Sequence, residues 1–257
     1  MSSPTWTRDA LSSEFRPFAG PCWRLVEAQH QVSTLKLVDT LAEQALLEDL
    51  VERAKPTVPA ECRHLNFLLA TPFRYDAEYP AGSRFRRAGR TAGVFYAAEE
   101  PATAVAEMAF YRLLFFAESP ETPWPDNAAE YTAFSAELAT GRLLDLTEPP
   151  FAVHEAVWTD PIVYGGCQSF ADAARAVDAQ AIRYRSVRDP AGKKNLAVLA
   201  CRAFAKPEPV DRRTWRIRLS ASGVQAICEF PQQAIEFDRD AFASDPRIAA
   251  LNWIRSI

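Results

Sequence analysis

Apolar side chains at Leu35, Val38, Leu41, Ala42, Ala45, Leu46 and Val51 recur at helical spacing. They predict an early helix capped by Ser33 or Thr34 and ended at Lys55-Pro56, where proline restricts the residue before it. Residues 57–80 hold a short helical or extended piece at 62–70, then Thr71-Pro72-Phe73-Arg74-Tyr75, where Pro72 disfavours helix. From Gly82 the pattern changes to a loop, a short buried strand at 93–98 and a helix at 101–116. Glu99, Glu100 and Pro101 open that helix with the acids and proline that a first turn favours. A proline-rich connector occupies 119–127.

Strands are expected at 131–136 and 141–146, followed by a helix at 169–179. In 181–187, Ile182, Tyr184 and Ser186 alternate with Arg183 and Arg185, the two-residue period of a strand. A turn at Asp189-Pro190-Ala191-Gly192 leads into a buried strand at 195–204. The chain closes with a hairpin of 215–219 and 224–230, a strand at 234–237 and a helix at 245–254. No repeat or interdomain linker interrupts the pattern. The expectation is one α+β domain over 71–257 carrying an N-terminal helical extension over 1–70.

One carboxylate sits oddly in this pattern. On the 101–116 helix the neighbours of Glu107 are Thr103, Ala104, Phe110 and Tyr111, with no basic partner four residues on. A buried acid is costly unless something pairs with it. The cationic loop from Arg84 to Arg90 could do so as a structural Glu–Arg pair, or a ligand hydroxyl could take that place. The basic residues gather in two groups. Arg84, Arg86, Arg87 and Arg90 form one; Arg183, Arg185 and Arg188, with Lys193 and Lys194, form the other. The net charge of −4 argues against bulk nucleic acid as the main partner, whose binding requires a basic surface. Two basic clusters on an acidic chain point instead to a small anionic ligand focused between them, a solvated basic face being the plain alternative.

The 257 residues contain no apolar run near the ~20 needed to cross a bilayer, and Met1 to Asp9 lack the form of a secretory signal, so a cytoplasmic protein is expected. Cys22, Cys62, Cys167, Cys201 and Cys228 form no C-x-x-C pair and read as reduced, packed thiols. His30, His64 and His154 are isolated from one another and from cysteine, so no metal is expected. No G-x-G-x-x-G, Walker or G-x-S-x-G motif is present, and a chain with nine glycines is poorly supplied for a glycine-rich phosphate cradle. Phosphate binding would fall to arginine, whose planar guanidinium meets phosphate oxygens with parallel charge-assisted bonds. Ser186 has no histidine near it in sequence, which disfavours serine hydrolase chemistry.

Gly82-Ser83-Arg84-Phe85, then Gly93 to Ala98, the Thr103 to Glu107 stretch, and Tyr184-Arg185-Ser186-Val187 with Asn195 downstream together resemble the RES domain, named for its arginine, glutamate and serine. The similarity runs over most of 73–199. Gly82-Ser83-Arg84-Phe85-Arg86 differs at three places from the family's usual Gly-Gly-Arg-Trp-Asn. The resemblance implies an ADP-ribosyltransferase-like fold of the diphtheria-toxin type, with a mixed sheet core and helices. It implies the toxin of a bacterial toxin–antitoxin pair that consumes NAD by phosphorolysis or hydrolysis, or transfers ADP-ribose to a protein. It also implies assembly with an Xre-like antitoxin that plugs the active site. By the same analogy the catalytic residues are Arg84, Glu107 and Ser186. NAD contacts fall to Arg84, Tyr96 and Ser186, with Arg74 as a candidate second arginine, and inorganic phosphate or a protein side chain is a possible acceptor.

The chemistry of the residues agrees with that role. Breaking the nicotinamide–ribose bond builds positive charge on the sugar, which a fixed carboxylate stabilises more in the transition state than in the ground state. Two other classes remain open at this point. One is a catalytically silent module that binds RNA or a nucleotide through arginines and aromatics. The other is a pure interaction subunit using the proline-rich loop and the N-terminal helix.

Overall fold

The computed structural model describes residues 6–27, 37–74 and 78–255. Helix α1 (Arg8–Ser13) leads into strand β1 (Arg16–Glu27), and helix α2 (Leu41–Ala54) follows. Next come β2 (Glu78–Tyr79), β3 (Gly89–Arg90), β4 (Phe95–Ala98), helix α3 (Pro101–Glu118) and the long β5 (Ala129–Asp145). Helix α4 (Gly165–Ala176), β6 (Ala181–Arg185) and β7 (Lys194–Val198) form the next unit, and β8 (Asp211–Ser220), β9 (Gly223–Cys228) and β10 (Gln233–Phe237) complete the set. One-turn helices lie at Phe67–Ala70, Glu155–Trp158 and Pro246–Ala249.

An eight-stranded mixed sheet in the order β1-β4-β7-β6-β5-β8-β9-β10 makes this an α+β architecture, with β5 and β6 parallel. β1 also pairs antiparallel with β5, from Arg16 opposite Leu143 to Glu27 opposite Tyr131, so the path β1-β4-β7-β6-β5 closes on itself. That pairing explains two departures from the pattern-based reading. The strands expected at 131–136 and 141–146 are one 17-residue strand, because β1 satisfies the backbone of β5 across the predicted gap. The helical extension expected over 1–70 is likewise corrected, since residues 16–27 are an integral strand of the sheet.

α2 starts later than its apolar spacing implied. Thr40 closes a reciprocal capping box with Glu43, each accepting from the other's main-chain amide at 3.0–3.2 Å. Ser33, Thr34, Leu35, His30 and Tyr75 lie outside the described residues. At the other end, the helix expected over 245–254 shrinks to one turn, and the strand expected over 195–204 ends at Val198, where a 3-10 turn at Cys201–Ala203 takes over.

α3 packs Val105, Ala109, Phe110 and Leu113 against Trp215, Ile217 and Val224 of β8 and β9. A second core joins Cys62, Leu69 and Phe73 to Phe95, Leu196 and Phe204 on another part of the sheet. Gly93 permits that join: a Cβ there would meet the Pro72 carbonyl oxygen at 1.9 Å, so a side chain would push the 71–73 turn off β4. Among the described residues no helix is long and apolar enough to cross a membrane.

The expectation of five reduced thiols is also corrected. Cys62 and Cys201 form a disulfide with Cα atoms 5.5 Å apart, while Cys22, Cys167 and Cys228 are free and buried. Folding brings together two cysteines 139 residues apart, which spacing along the chain does not reveal. Closing so long a loop restricts the unfolded chain by up to about 5 kcal/mol. Cys62→Ser, or reduction of the wild type, is therefore expected to lower the unfolding free energy by about 2–5 kcal/mol, seen as a lower midpoint in urea titration with and without reductant.

Candidate functional site

α3 begins at Pro101, whose missing amide hydrogen costs nothing in a first turn, and runs with Thr103, Ala104 and Ala106 buried. This orientation turns the side chain of Glu107 into a cleft of about 280 Å³. Its walls include Arg24 and Trp23 of β1, Arg84, Tyr96 of β4, Tyr111 of α3, Tyr164, Tyr184 of β6, Arg188 and Asn195 of β7. Four strands, α3 and three loops thus converge on one carboxylate.

Two neutral donors hold that carboxylate. Ser186 Oγ donates to Glu107 Oε1 at 2.7 Å, and Asn195 Nδ2 donates to the same oxygen at 2.6 Å. The direction of the serine bond is set from behind, because the main-chain amides of Arg188 and Asp189 donate to Ser186 Oγ at 3.3 and 3.0 Å. With its lone pairs so engaged, the hydroxyl hydrogen points to Glu107. Among the described residues Glu107 forms no ion pair, so the Glu–Arg pair envisaged from the sequence is not what satisfies it. Burial raises its carboxyl above the ordinary carboxylate range, opposed by the hydrogen bonds of Ser186 and Asn195 and by the charges of Arg188 and Arg84.

The arginines of the cleft are held in a complementary way. Arg84, buried, donates through Nη1 to the Trp158 carbonyl at 2.6 Å and through Nη2 to the Asp160 carbonyl at 2.9 Å, with the Tyr164 ring 4.8 Å away. Arg24 donates weakly to the Tyr96 carbonyl at 3.4 Å and lies over the Phe95 ring at 5.1 Å. Burial lowers the pKa of Arg24. Neither forms an ion pair with a carboxylate among the described residues, so both retain charge for a ligand. Arg188 differs, since its Nη1 bonds Asp245 Oδ2 at 2.7 Å.

Tyr96 ties the arginine loop to the sheet. Its hydroxyl lies 2.8 Å from Ser83 Oγ and accepts from the Phe85 amide at 2.9 Å, and burial pushes its phenol up to about 12. Gly82 turns this loop with φ +67°, and a Cβ there would meet the Ala88 amide nitrogen at 2.9 Å.

The structure therefore brings Arg84, Tyr96, Glu107 and Ser186 together. Arg74 is not brought in: it donates to the Pro56 carbonyl at 2.7 Å and pairs with Glu52 of α2, so it fastens α2 to the following turn. Most of the two basic clusters is also spent elsewhere. Arg87 pairs with Asp172, Arg183 with Glu99 and Asp145, and Arg185 with Glu155. Sequence reasoning missed Arg24, whose strand it had read as helical, and Tyr164, for which no local pattern exists. Arg188 was visible only as one member of a basic run, and Asn195 only as part of a resemblance.

A family model described as RES domain matches residues 58–220, which takes in β2 through β8. No curated protein matches the chain. Among solved structures, that of the M. tuberculosis MbcT–MbcA toxin–antitoxin complex is similar over 92% of this chain and 94% of its own, with 14% identity and a TM-score of 0.46.

The raised carboxyl of Glu107 makes a stability prediction. An acid whose folded pKa exceeds its unfolded pKa stabilises the fold fully below the unfolded value and loses that contribution as pH rises through the folded value. Glu107→Gln keeps an acceptor for Ser186 and Asn195 without the buried charge. Its melting temperature is expected to equal or exceed that of the wild type at pH 8, with the advantage vanishing below the ordinary carboxylate pKa, as read by calorimetry across pH.

Proposed function

This chain belongs to the RES domain family, and from that premise we propose that its cleft cleaves NAD at the nicotinamide–ribose bond. The observation that carries the reading is the segregation of charge: among the described residues, one carboxylate hydrogen-bonded by neutral donors faces a cleft that also bears Arg24 and Arg84, whose partners are carbonyls, rings and, for Arg84, the Cys167 sulfur, none of them a carboxylate. Buried charges without partners are costly, and a ligand carrying both phosphates and a centre of developing positive charge satisfies both kinds at once. NAD is such a ligand. The mixed sheet with its flanking helices is read as an ADP-ribosyltransferase-like core of the diphtheria-toxin type.

In this mechanism Arg24 and Arg84 bind the pyrophosphate, and the Tyr96 ring, fixed by its hydroxyl bonds, flanks the nicotinamide. As the C–N bond breaks, its electron pair leaves with nicotinamide and positive charge grows on the ribose. Glu107 stabilises that charge electrostatically, while Ser186 and Asn195 keep its Oε1 in place and leave Oε2 to the ribose. An oxygen of phosphate or water then bonds the anomeric carbon from the opposite face, an attacking water releasing its proton to solvent, and a protein side chain is the alternative acceptor. The family resemblance extends the proposal to a toxin restrained by an Xre-like antitoxin that covers the cleft.

The test follows NAD loss and nicotinamide release by chromatography, with and without inorganic phosphate. Glu107→Gln is expected to lower kcat by about 10²- to 10³-fold, and near-wild-type turnover would overturn the reading. Arg24→Met is expected to raise KM for NAD by about 10- to 100-fold, the value of a charge-assisted phosphate contact. Arg74→Met is expected to leave both constants within about twofold, as its side chain is engaged with α2. Phosphate-dependent acceleration identifies phosphorolysis; turnover indifferent to phosphate identifies hydrolysis where free ADP-ribose is released and transfer where the protein gains ADP-ribose mass.

A further inference from the structure

The family match ends at Ser220, yet the chain continues through β9 and β10 and returns to pack behind the cleft, against Phe110 and Arg188. Phe242 packs near Phe110, three residues beyond Glu107 on α3, at 6.1 Å between ring centroids. Asp245 follows, only 1% exposed, and caps the one-turn helix Pro246–Ala249. Its Oδ2 accepts from Arg188 Nη1 at 2.7 Å and from Arg247 Nη2 at 2.8 Å, and its Oδ1 accepts from Arg247 Nε at 3.0 Å.

We infer that Asp245 is a positioning residue for the cleft, supplied by the segment beyond the family match, which locks Arg188 and through it orients Ser186 on Glu107. The inference rests on the NAD-cleaving reading and adds a residue to it. Three contacts carry the argument. Arg188 lies 3.9 Å above the Phe110 ring, so its guanidinium is clamped between α3 and Asp245. The main-chain amides of Arg188 and of the adjoining Asp189 donate to Ser186 Oγ at 3.3 and 3.0 Å, so fixing Arg188 steadies the backbone that supplies both donors to the serine hydroxyl. The Nη2 of Arg188 also donates to the Pro161 carbonyl at 2.6 Å and to the Tyr164 hydroxyl at 3.2 Å, and the Tyr164 ring lies beside Arg84. One carboxylate thus steadies both the serine and the aromatic face against which Arg84 rests.

A carboxylate that mattered only for folding would change melting temperature and leave kcat per folded molecule unchanged. Asp245→Asn, Arg188→Met and the double variant are therefore compared by NAD turnover, each normalised to folded protein. Asp245→Asn and Arg188→Met are each expected to lower kcat by about 10- to 100-fold, the effect of a small misplacement of reacting groups. In the Arg188→Met background Asp245→Asn is expected to add no further loss, because the coupling runs through Arg188. Removing one partner of a buried ion pair can itself unfold a protein, whereas the double variant removes both buried partners and leaves only Arg247, 35% exposed, without its carboxylate. If Asp245→Asn alone does not fold, the comparison of Arg188→Met with the double variant still decides: equal kcat supports the inference, and a further loss overturns it. Near-wild-type kcat in Asp245→Asn or in Arg188→Met also overturns it. A wild type that consumes no NAD in water, with phosphate or with added cell protein as acceptor overturns the NAD reading and this inference together, whereas an active wild type with an indifferent Asp245→Asn overturns this inference alone.

Discussion

The convergence of Ser186 and Asn195 on one oxygen of Glu107 is the constraint around which the site is arranged. A carboxylate in a low-dielectric cleft needs donors, and an arginine would be the strongest. Neutral donors from β7 and from the end of β6 satisfy the hydrogen-bonding need and leave the negative charge uncancelled. That choice explains why burial dominates the ionisation of Glu107, and why a hydroxyl and an amide are placed where a salt bridge would be more stabilising.

The surrounding fold serves that arrangement through the closure of the sheet. β7 lies between β4 and β6, so Asn195, Tyr96 and the approach to Ser186 are set by neighbouring strands whose registers pair Ala98 with Asn195 and Tyr184 with Asn195. α3 follows β4 after two residues and delivers Glu107 to the same edge. β1 contributes Arg24 from the strand that joins β4 to β5. Local rigidity comes from the turns: Gly82 admits the backbone of the Arg84 loop, and Thr103 donates to Asp189 at 2.8 Å, tying the first turn of α3 to the loop that holds Ser186.

Much of this was legible in the chain because it depends on short-range periodicity. The 93–98 strand, the helix carrying Glu107, the alternation of Ile182 and Tyr184 against Arg183 and Arg185, and the Asp189 to Gly192 turn all follow from residues within a few positions of one another. The misplaced acid stood out for the same reason: an i+4 partner is visible in sequence, and so is its absence. Arg74 entered as a second arginine only by analogy with the family, and analogy says nothing about which surface its side chain faces here, where Glu52 claims it. The basic clusters were overvalued for a related reason, since their ion-pair partners Asp172, Asp145 and Glu155 are distant in sequence.

By itself, then, the amino-acid order determined the α+β class, the strand–helix unit bearing Tyr96 and Glu107, and the identity of the acid whose surroundings demanded explanation. Only the tertiary structure decided that β1 belongs to the sheet, that Cys62 meets Cys201, that Arg24 and not Arg74 reaches the cleft, and that Asp245 returns to hold Arg188. The physical reason is one of range. Hydrogen-bond periodicity and side-chain alternation act over one turn or one pleat. Which charges remain unpaired is settled only when the closed sheet brings segments more than fifty residues apart within hydrogen-bonding distance.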